Sequence, residues 1–285
     1  MKIAIFGRTP SKENIECFNT LTQTLNEFNI EVIVYKRFLK QISKVEFETF
    51  NTPKSLKNVT FLLSIGGDGT FLRTLKLIAN SGIPVLGINT GRLGYLASTA
   101  KKEIQVVVQK LINKEFTIDN RSLISIAEPA KLFKTNYALN EFTVSKKDIS
   151  SMITIHTYLN DEYLNSYWAD GLIISTPTGS TGYSLSCGGP IILPESQSFV
   201  ITPIAPHNLT VRPIVIPNDT EVKLKIEARE QKILVTLDGN SKSIDNKTEL
   251  ILKKEKFGIN LVKLNNHSHL TTLRNKLMWG IDKRN

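Results

Sequence analysis

Val59-Thr60-Phe61-Leu62-Leu63-Ser64-Ile65-Gly66-Gly67-Asp68-Gly69-Thr70 is a continuous apolar run that breaks abruptly into glycines around one acid. An apolar run of this length suits a strand buried on both faces of a parallel sheet. Beyond it, Phe71, Leu72, Leu75, Ile78 and Ala79 recur at the spacing of one helical face between Thr70 and Asn80. Gly82 then stands where a C′ glycine would end that helix. The stretch is therefore strand, glycine loop, helix.

The same grammar extends to either side. Lys2 to Gly7 is strand-like, Ser11 is placed to cap a helix running to Phe28, and Glu31 to Phe38 is again rich in Val, Ile and Tyr. A polar, helix-like stretch follows before Val59, and Ile83 to Asn89 supplies the next strand. Repeated β-α-β predicts an α/β fold with a doubly wound parallel sheet.

After about Thr117 the pattern changes. Ser122–Ala127, Tyr137–Val144, Met152–Leu159, Leu172–Ser175, Phe199–Ile204, Val222–Ala228, Ile233–Leu237 and Leu250–Leu252 are strand-like. Turn pairs such as Asn160-Asp161, Asn218-Asp219, Asp238-Gly239 and Asp245-Asn246 separate many of them. The expected organisation is an α/β domain over residues 1–117 and a mostly β, sandwich-like domain over 118–267. A C-terminal helix over 268–285, with Leu273, Leu277 and Trp279 in helix-compatible positions, is expected to pack back on the first domain.

Composition narrows the class. Of 285 residues, 41% are hydrophobic and 22% charged, the range of globular domains rather than disordered chains. No apolar run reaches the roughly 20 residues of a spanning helix. The start, Met1 to Gly7, lacks the h-region of a signal peptide, so a cytoplasmic location with no membrane partner is expected. Cys17 and Cys187 have neither metal nor disulfide spacing. His156, His267 and His269 show no ligand spacing either, so no protein-held metal is expected, and His207 is expected to support its loop rather than to catalyse. The net charge of +10 favours anionic partners. Its lysines come as scattered pairs rather than a tract, which fits phosphorylated small molecules as well as nucleic acid.

The glycine loop leaves the carboxyl end of a buried strand, where open α/β sheets bind ligands. Gly67 and Gly69 let backbone N–H groups approach an anion, the helix N-terminus adds partial positive charge, and Thr70 offers a hydroxyl. Asp68 would repel a phosphate set beside it. That placement is explained if Asp68 takes a proton from an attacking hydroxyl, although Asp also suits a helix N-cap. No Gly-Lys-Ser/Thr follows, so the loop is not a Walker A loop, and it is not the Gly-x-Gly-x-x-Gly of hydride-transfer enzymes. Asp170 to Pro190 is the other unusual stretch. It is a strand followed by a loop dense in hydroxyls and glycines, suited to ribose and phosphate, with Tyr183 able to stack on a ring.

Taken together, Gly66–Thr70, Asn140-Glu141 and Asp170–Pro190 resemble the NAD kinase family. Weaker matches are Gly91-Arg92-Leu93-Gly94-Tyr95-Leu96, the run from His207 to Pro213, and Asp238-Gly239. The resemblance implies transfer of the terminal phosphoryl of ATP to the 2′-hydroxyl of the adenosine ribose of NAD, with Mg²⁺ entering on the nucleotide phosphates. It implies a cleft between an α/β and a β-rich domain that holds NAD. Asp68 would activate the hydroxyl, and Arg73 would approach phosphates. Tyr95 would lie near the adenine, and Asn140 and Glu141 would hold the adenosine end. Asp170 would face the nicotinamide side, with Thr181, Gly182, Tyr183, Ser184, Leu185 and Ser186 lining the dinucleotide. A homo-oligomer, tetramer or dimer, is usual in that family, and no nucleic-acid partner is implied.

This chain departs from the family pattern at Trp168, where Arg is frequent, at Gly182, where Ala is usual, and at Asn240, where Gln often follows Asp-Gly. Two other readings are a lipid or diacylglycerol-type kinase using the same glycine loop, and a non-catalytic dinucleotide sensor. The first leaves Asn140-Glu141 and Asp170–Pro190 unexplained; the second predicts loss of Asp68, which is present.

Overall fold

In the computed structural model, which describes residues 1–42, 45–91, 94–148, 151–264 and 269–278, the opening run becomes the centre of a sheet. The chain divides into two units, Met1–Asn120 with Ile259–Asn285, and Arg121–Gly258.

In the first unit β1 (Lys2–Gly7), α1 (Lys12–Glu27), β2 (Glu31–Tyr35), α2 (Lys36–Ile42), β3 (Glu48–Phe50), β4 (Phe61–Ile65), α3 (Asp68–Ile78), β5 (Val85–Asn89), β6 (Thr99–Ala100), α4 (Ile104–Asn113) and β7 (Phe116–Arg121) follow one another. The sheet order is β3-β2-β1-β4-β5, then the strand Ile259–Leu264, then β7; β6 also pairs with β5. The β1–β2, β1–β4, β2–β3 and β4–β5 pairs are parallel, as is that of Ile259–Leu264 with β5. Every residue of β4 is buried, as its apolar run demands. Strand order reverses between β1 and β4, where Gly7 lies beside Ile65, so the glycine loop opens at the sheet's switch point.

Ser11 caps α1 as its spacing predicts, its hydroxyl accepting from the Asn14 amide. Two local expectations are corrected. The strand read as Glu31–Phe38 stops at Tyr35, because Phe38 is needed in α2, buried edge-on against Phe18. Helix α3 starts at Asp68 and ends at Ile78, two residues short of Asn80. Its terminating residue with positive φ is Ala79 (φ 45°), and Gly82 (φ 71°) belongs to the turn beyond. Leu273 is buried in a last helix, His269–Leu277; Trp279 lies outside the described residues. No helix of the described residues is long and apolar enough to cross a membrane.

The second unit is two antiparallel sheets. One has the order β15-β14-β13-β10-β17-β18, from β10 (Glu141–Lys146), β13 (Gly171–Ser175), β14 (Ser198–Ile204), β15 (Ile214–Pro217), β17 (Lys232–Leu237) and β18 (Asn240–Asp245). The other has the order β12-β11-β16-β19-β8-β9, from β8 (Ile124–Glu128), β9 (Tyr137–Ala138), β11 (Ile153–Leu159), β12 (Glu162–Ala169), β16 (Val222–Glu227) and β19 (Leu250–Lys254). Phe142, Val144, Leu172, Ile174 and Val235 of the first share one core with Ile124, Ile155, Leu224 and Leu252 of the second. The run read as Tyr137–Val144 is broken at Leu139 and Asn140, whose amides bond to the Asp238 carboxylate instead of a strand.

Candidate active site

In the first unit the site is built around Asp68. Gly67 is the N-cap of α3, and Asp68 is the helix's first residue, half-buried at its positive end. The Asp68 side chain turns away from its own helix and accepts three backbone N–H groups. Oδ2 takes Tyr95 at 2.8 Å; Oδ1 takes Leu96 at 3.1 Å and Ala97 at 2.9 Å. An ionised carboxylate has about four acceptor positions, so Oδ2, with a single partner, keeps one free for a hydroxyl. The simple N-cap role is thus excluded, since the carboxylate serves another loop.

That loop is fastened to the sheet. Asn89, the last residue of β5, donates to the Ala97 carbonyl and accepts from the Gly91 amide, and Gly94 donates to Ala97. A Cβ on Gly94 would overlap the Asp68 carboxylate, which is why glycine stands there. At Gly67 and Gly69 an added Cβ would meet nothing within 4 Å, leaving open space before the loop. Arg73 is exposed one turn along α3. The Tyr95 hydroxyl is buried without a hydrogen-bond partner, and its ring lies 6.5 Å from that of His269. Burial, and then the Asp68 charge, push the Tyr95 phenol up. Arg92 and Leu93 lie outside the described residues.

In the second unit, Glu141 is the corresponding anomaly. Its Oε2 is buried with no hydrogen-bond partner. Burial, and secondarily the Asp238 carboxylate, push it up to about 7. A buried, unpartnered carboxylate oxygen is expensive to maintain and points to a ligand hydroxyl. Around it, Thr176 donates to the Leu139 carbonyl at 2.5 Å and its amide to Asn140 at 2.9 Å. Gly179 sits so close to the Asn140 backbone that a Cβ there would collide with it. Arg121, the first residue of this unit, donates to Thr178 Oγ1 at 3.0 Å and ties down the 176–182 loop.

Thr181 ends a 3₁₀ turn, and Tyr183, Ser184, Leu185 and Ser186 form a single helical turn, α5 (Tyr183–Ser186). Tyr183 is 46% exposed, with its ring available for stacking. Ser184 is buried, and its hydroxyl is engaged by Thr202 at 2.8 Å. At Gly182 a methyl would lie 3.4 Å from Glu141 Oε2, so glycine leaves that oxygen more room. Asp170 forms a 2.6 Å ion pair with Lys146. Trp168 packs its ring 4.3 Å from His207, whose amide donates to the Trp168 carbonyl. The Asn240 amide donates to Leu237 O, closing the β17–β18 turn.

Within the first unit, then, Gly67, Asp68, Gly69 and Tyr95 gather at one sheet end. Within the second, Asn140, Glu141, Gly182 and the 176–181 loop gather, while Asn240, expected to contact the dinucleotide, has its Nδ2 on Leu237 and Asp238 of its own turn. Sequence reasoning passed over Asp238, Lys146 and Arg121 as site residues. Only Asp238 carried a signal, the Asp-Gly pair. Among the described residues no group of three or more His, Cys, Asp or Glu side chains gathers to hold a metal ion.

Comparison with known proteins agrees from end to end. The family model described as the ATP-NAD kinase N-terminal domain matches residues 3–116, and that described as the ATP-NAD kinase C-terminal domain matches residues 139–257. The NAD kinase of Flavobacterium psychrophilum is 51% identical over 100% of both chains, and that of Bacteroides fragilis 43% identical over 100% of both. An NAD kinase from Archaeoglobus fulgidus solved in complex with ATP is similar with a TM-score of 0.78 at 28% identity, covering 98% of this chain and 99% of that one. Yeast NADH kinase complexed with NADH shares the fold, with a TM-score of 0.89 at 23% identity, covering 99% and 89%.

Proposed function

The chain belongs to the NAD kinase family, and from that premise we propose how its residues divide the work of phosphorylating NAD. The reaction moves the terminal phosphoryl of ATP to the 2′-hydroxyl of the adenosine ribose of NAD, giving NADP and ADP. The 2′-oxygen forms a bond to the γ-phosphorus as the bond to the ADP oxygen breaks. The hydroxyl proton goes to Asp68 Oδ2, the oxygen with a free acceptor position, and leaves later to water. Catalysis of this kind rests on positioning and electrostatics.

The observation that carries this reading is the Asp68 carboxylate held by three amides at the head of α3. The clamp fixes its direction without using its last acceptor position. Gly67, Gly69 and the positive end of α3 receive phosphate, and Arg73 adds charge. Tyr95 lies against the adenine. Asn140 and Glu141 hold the adenosine end through the unpartnered Glu141 oxygen. Asp170 faces the nicotinamide side, and residues 181–186 line the dinucleotide. Mg²⁺ arrives on the ATP phosphates, keeping most of its waters. We assign the enzyme to the cytoplasm, as a homo-oligomer.

The test is purified protein incubated with NAD, ATP and Mg²⁺, the product read by an NADP-specific dehydrogenase. NADP formation is expected. Its absence with ATP and with polyphosphate would overturn the assignment.

A further inference from the structure

Asp238 is the residue of the second unit whose geometry asks for more than a turn. It follows β17 and, with Gly239, makes the tight connection to β18; both have positive φ, 43° and 73°. That left-handed conformation is unfavourable for Asp by comparison with Gly, and the carboxylate reaches the segment between β9 and β10 and the start of β10. Oδ2 accepts the Leu139 amide at 2.7 Å; Oδ1 accepts Asn140 at 2.8 Å and Glu141 at 3.3 Å. In return the Asp238 amide donates to the Glu141 carbonyl at 3.3 Å.

These bonds fall where the strand run from Tyr137 is interrupted, and they replace the ladder that Leu139 and Asn140 would otherwise join. The clamp is a poor choice if stability were its whole purpose. It brings a second negative charge to a carboxylate already buried, and that charge is one reason Glu141 holds its proton more tightly. A neutral cap would close the same turn without the repulsion. The arrangement is explained if what matters is the direction of the Glu141 side chain.

We propose that Asp238 is a positioning residue for NAD, fixing the Leu139–Glu141 backbone so that the unpartnered Glu141 oxygen faces a hydroxyl of the bound dinucleotide. This rests on the reading of Asn140-Glu141 as an NAD-holding pair. The parallel with Asp68 is close: in each unit one carboxylate takes three consecutive backbone amides. There the clamped loop serves the clamping acid; at Asp238 the clamping acid serves the loop.

The experiment is steady-state kinetics of Asp238→Asn, Glu141→Gln and the double variant, with KM for NAD and for ATP measured separately. Asn replaces one of the two carboxylate oxygens by an NH₂, so either the Leu139 amide or the Asn140 and Glu141 amides lose their acceptor. A rise of roughly tenfold in KM for NAD is expected, with KM for ATP unchanged and kcat within about threefold. In the Glu141→Gln background the Asp238→Asn effect should largely vanish, because both act through one contact. Gly239→Ala strains the turn while keeping the carboxylate, and it serves if Asp238→Asn does not fold; it should raise KM for NAD selectively. An unchanged KM for NAD in whichever variant folds, or effects that multiply independently of Glu141, would overturn the proposal. Failure of the wild-type protein to make NADP would instead overturn the function itself.

Discussion

The Cα of Gly94 lies against the carboxylate of Asp68 so closely that no side chain fits between them. The acid proposed as base is therefore seated against the backbone of one loop, Gly94 to Ala97, which supplies both the close glycine and the three amides. Replacing Gly94 by Ala is expected to push the carboxylate out of line with its three donors. A displacement of about 1 Å at a reacting group costs roughly a hundredfold, so kcat should fall by about that factor. Binding of NAD, measured by calorimetry, should change much less. Equal losses in binding and turnover would show that Gly94 supports the fold rather than the aim of Asp68.

Glu141 gives a prediction in pH. Burial raises it from the ordinary carboxylate range to about 7. Between those values the folded protein keeps a proton that the unfolded chain releases. The stability linked to that proton is fully present below the ordinary range and is lost as pH rises through about 7. Above it, a charge is held in a buried place at a cost of the order of 3 kcal/mol. Glu141→Gln removes that cost. The variant should gain stability over the parent at pH 8 but not at pH 5, as read by urea unfolding. Parallel pH profiles would remove the buried charge from the account.

Much of this architecture is legible in the sequence where the cause is local. The all-apolar Phe61–Ile65 becomes a strand buried on both faces, and Ser11 caps its helix. Strands with weaker alternation escape notice: Glu162–Ala169 carries Asn165 and Ser166 among its aromatics, and no apolar run announces it. Phe38 looks like the end of a strand until Phe18 appears beside it. The partners of the site acids are harder still. Asp68 and Tyr95 are 27 residues apart, and Leu139 and Asp238 are 99 apart. Such pairings arise from tertiary closure, and no residue spacing encodes them.

Lys146 and Asp170 make a further prediction. Their 2.6 Å ion pair offsets the charge of the acid assigned to the nicotinamide side. Both side chains are partly exposed, so the effect is screened and modest. Lys146→Met leaves Asp170 uncompensated, which favours the cationic ring of NAD over the neutral ring of NADH. The ratio of kcat/KM for NAD to that for NADH should rise by about two- to tenfold. An unchanged ratio would place Asp170 away from the ring.

Gly179 tests the loop itself. A Cβ there would run into the Asn140 backbone, so Gly179→Ala must separate the 176–181 loop from Asn140-Glu141. Overpacking of this kind costs about 1–3 kcal/mol, measurable by chemical denaturation, and KM for NAD should rise with it. A variant as stable as the parent would show that the loop yields freely.

The central claim is that Asp68 Oδ2 receives the proton of the attacking hydroxyl. It is tested most directly by single-turnover phosphoryl transfer in Asp68→Asn beside NAD binding in the same variant. The account predicts near-normal binding and a transfer rate lower by roughly two to four orders of magnitude. Near-normal transfer by Asp68→Asn would contradict it, even with the protein still making NADP.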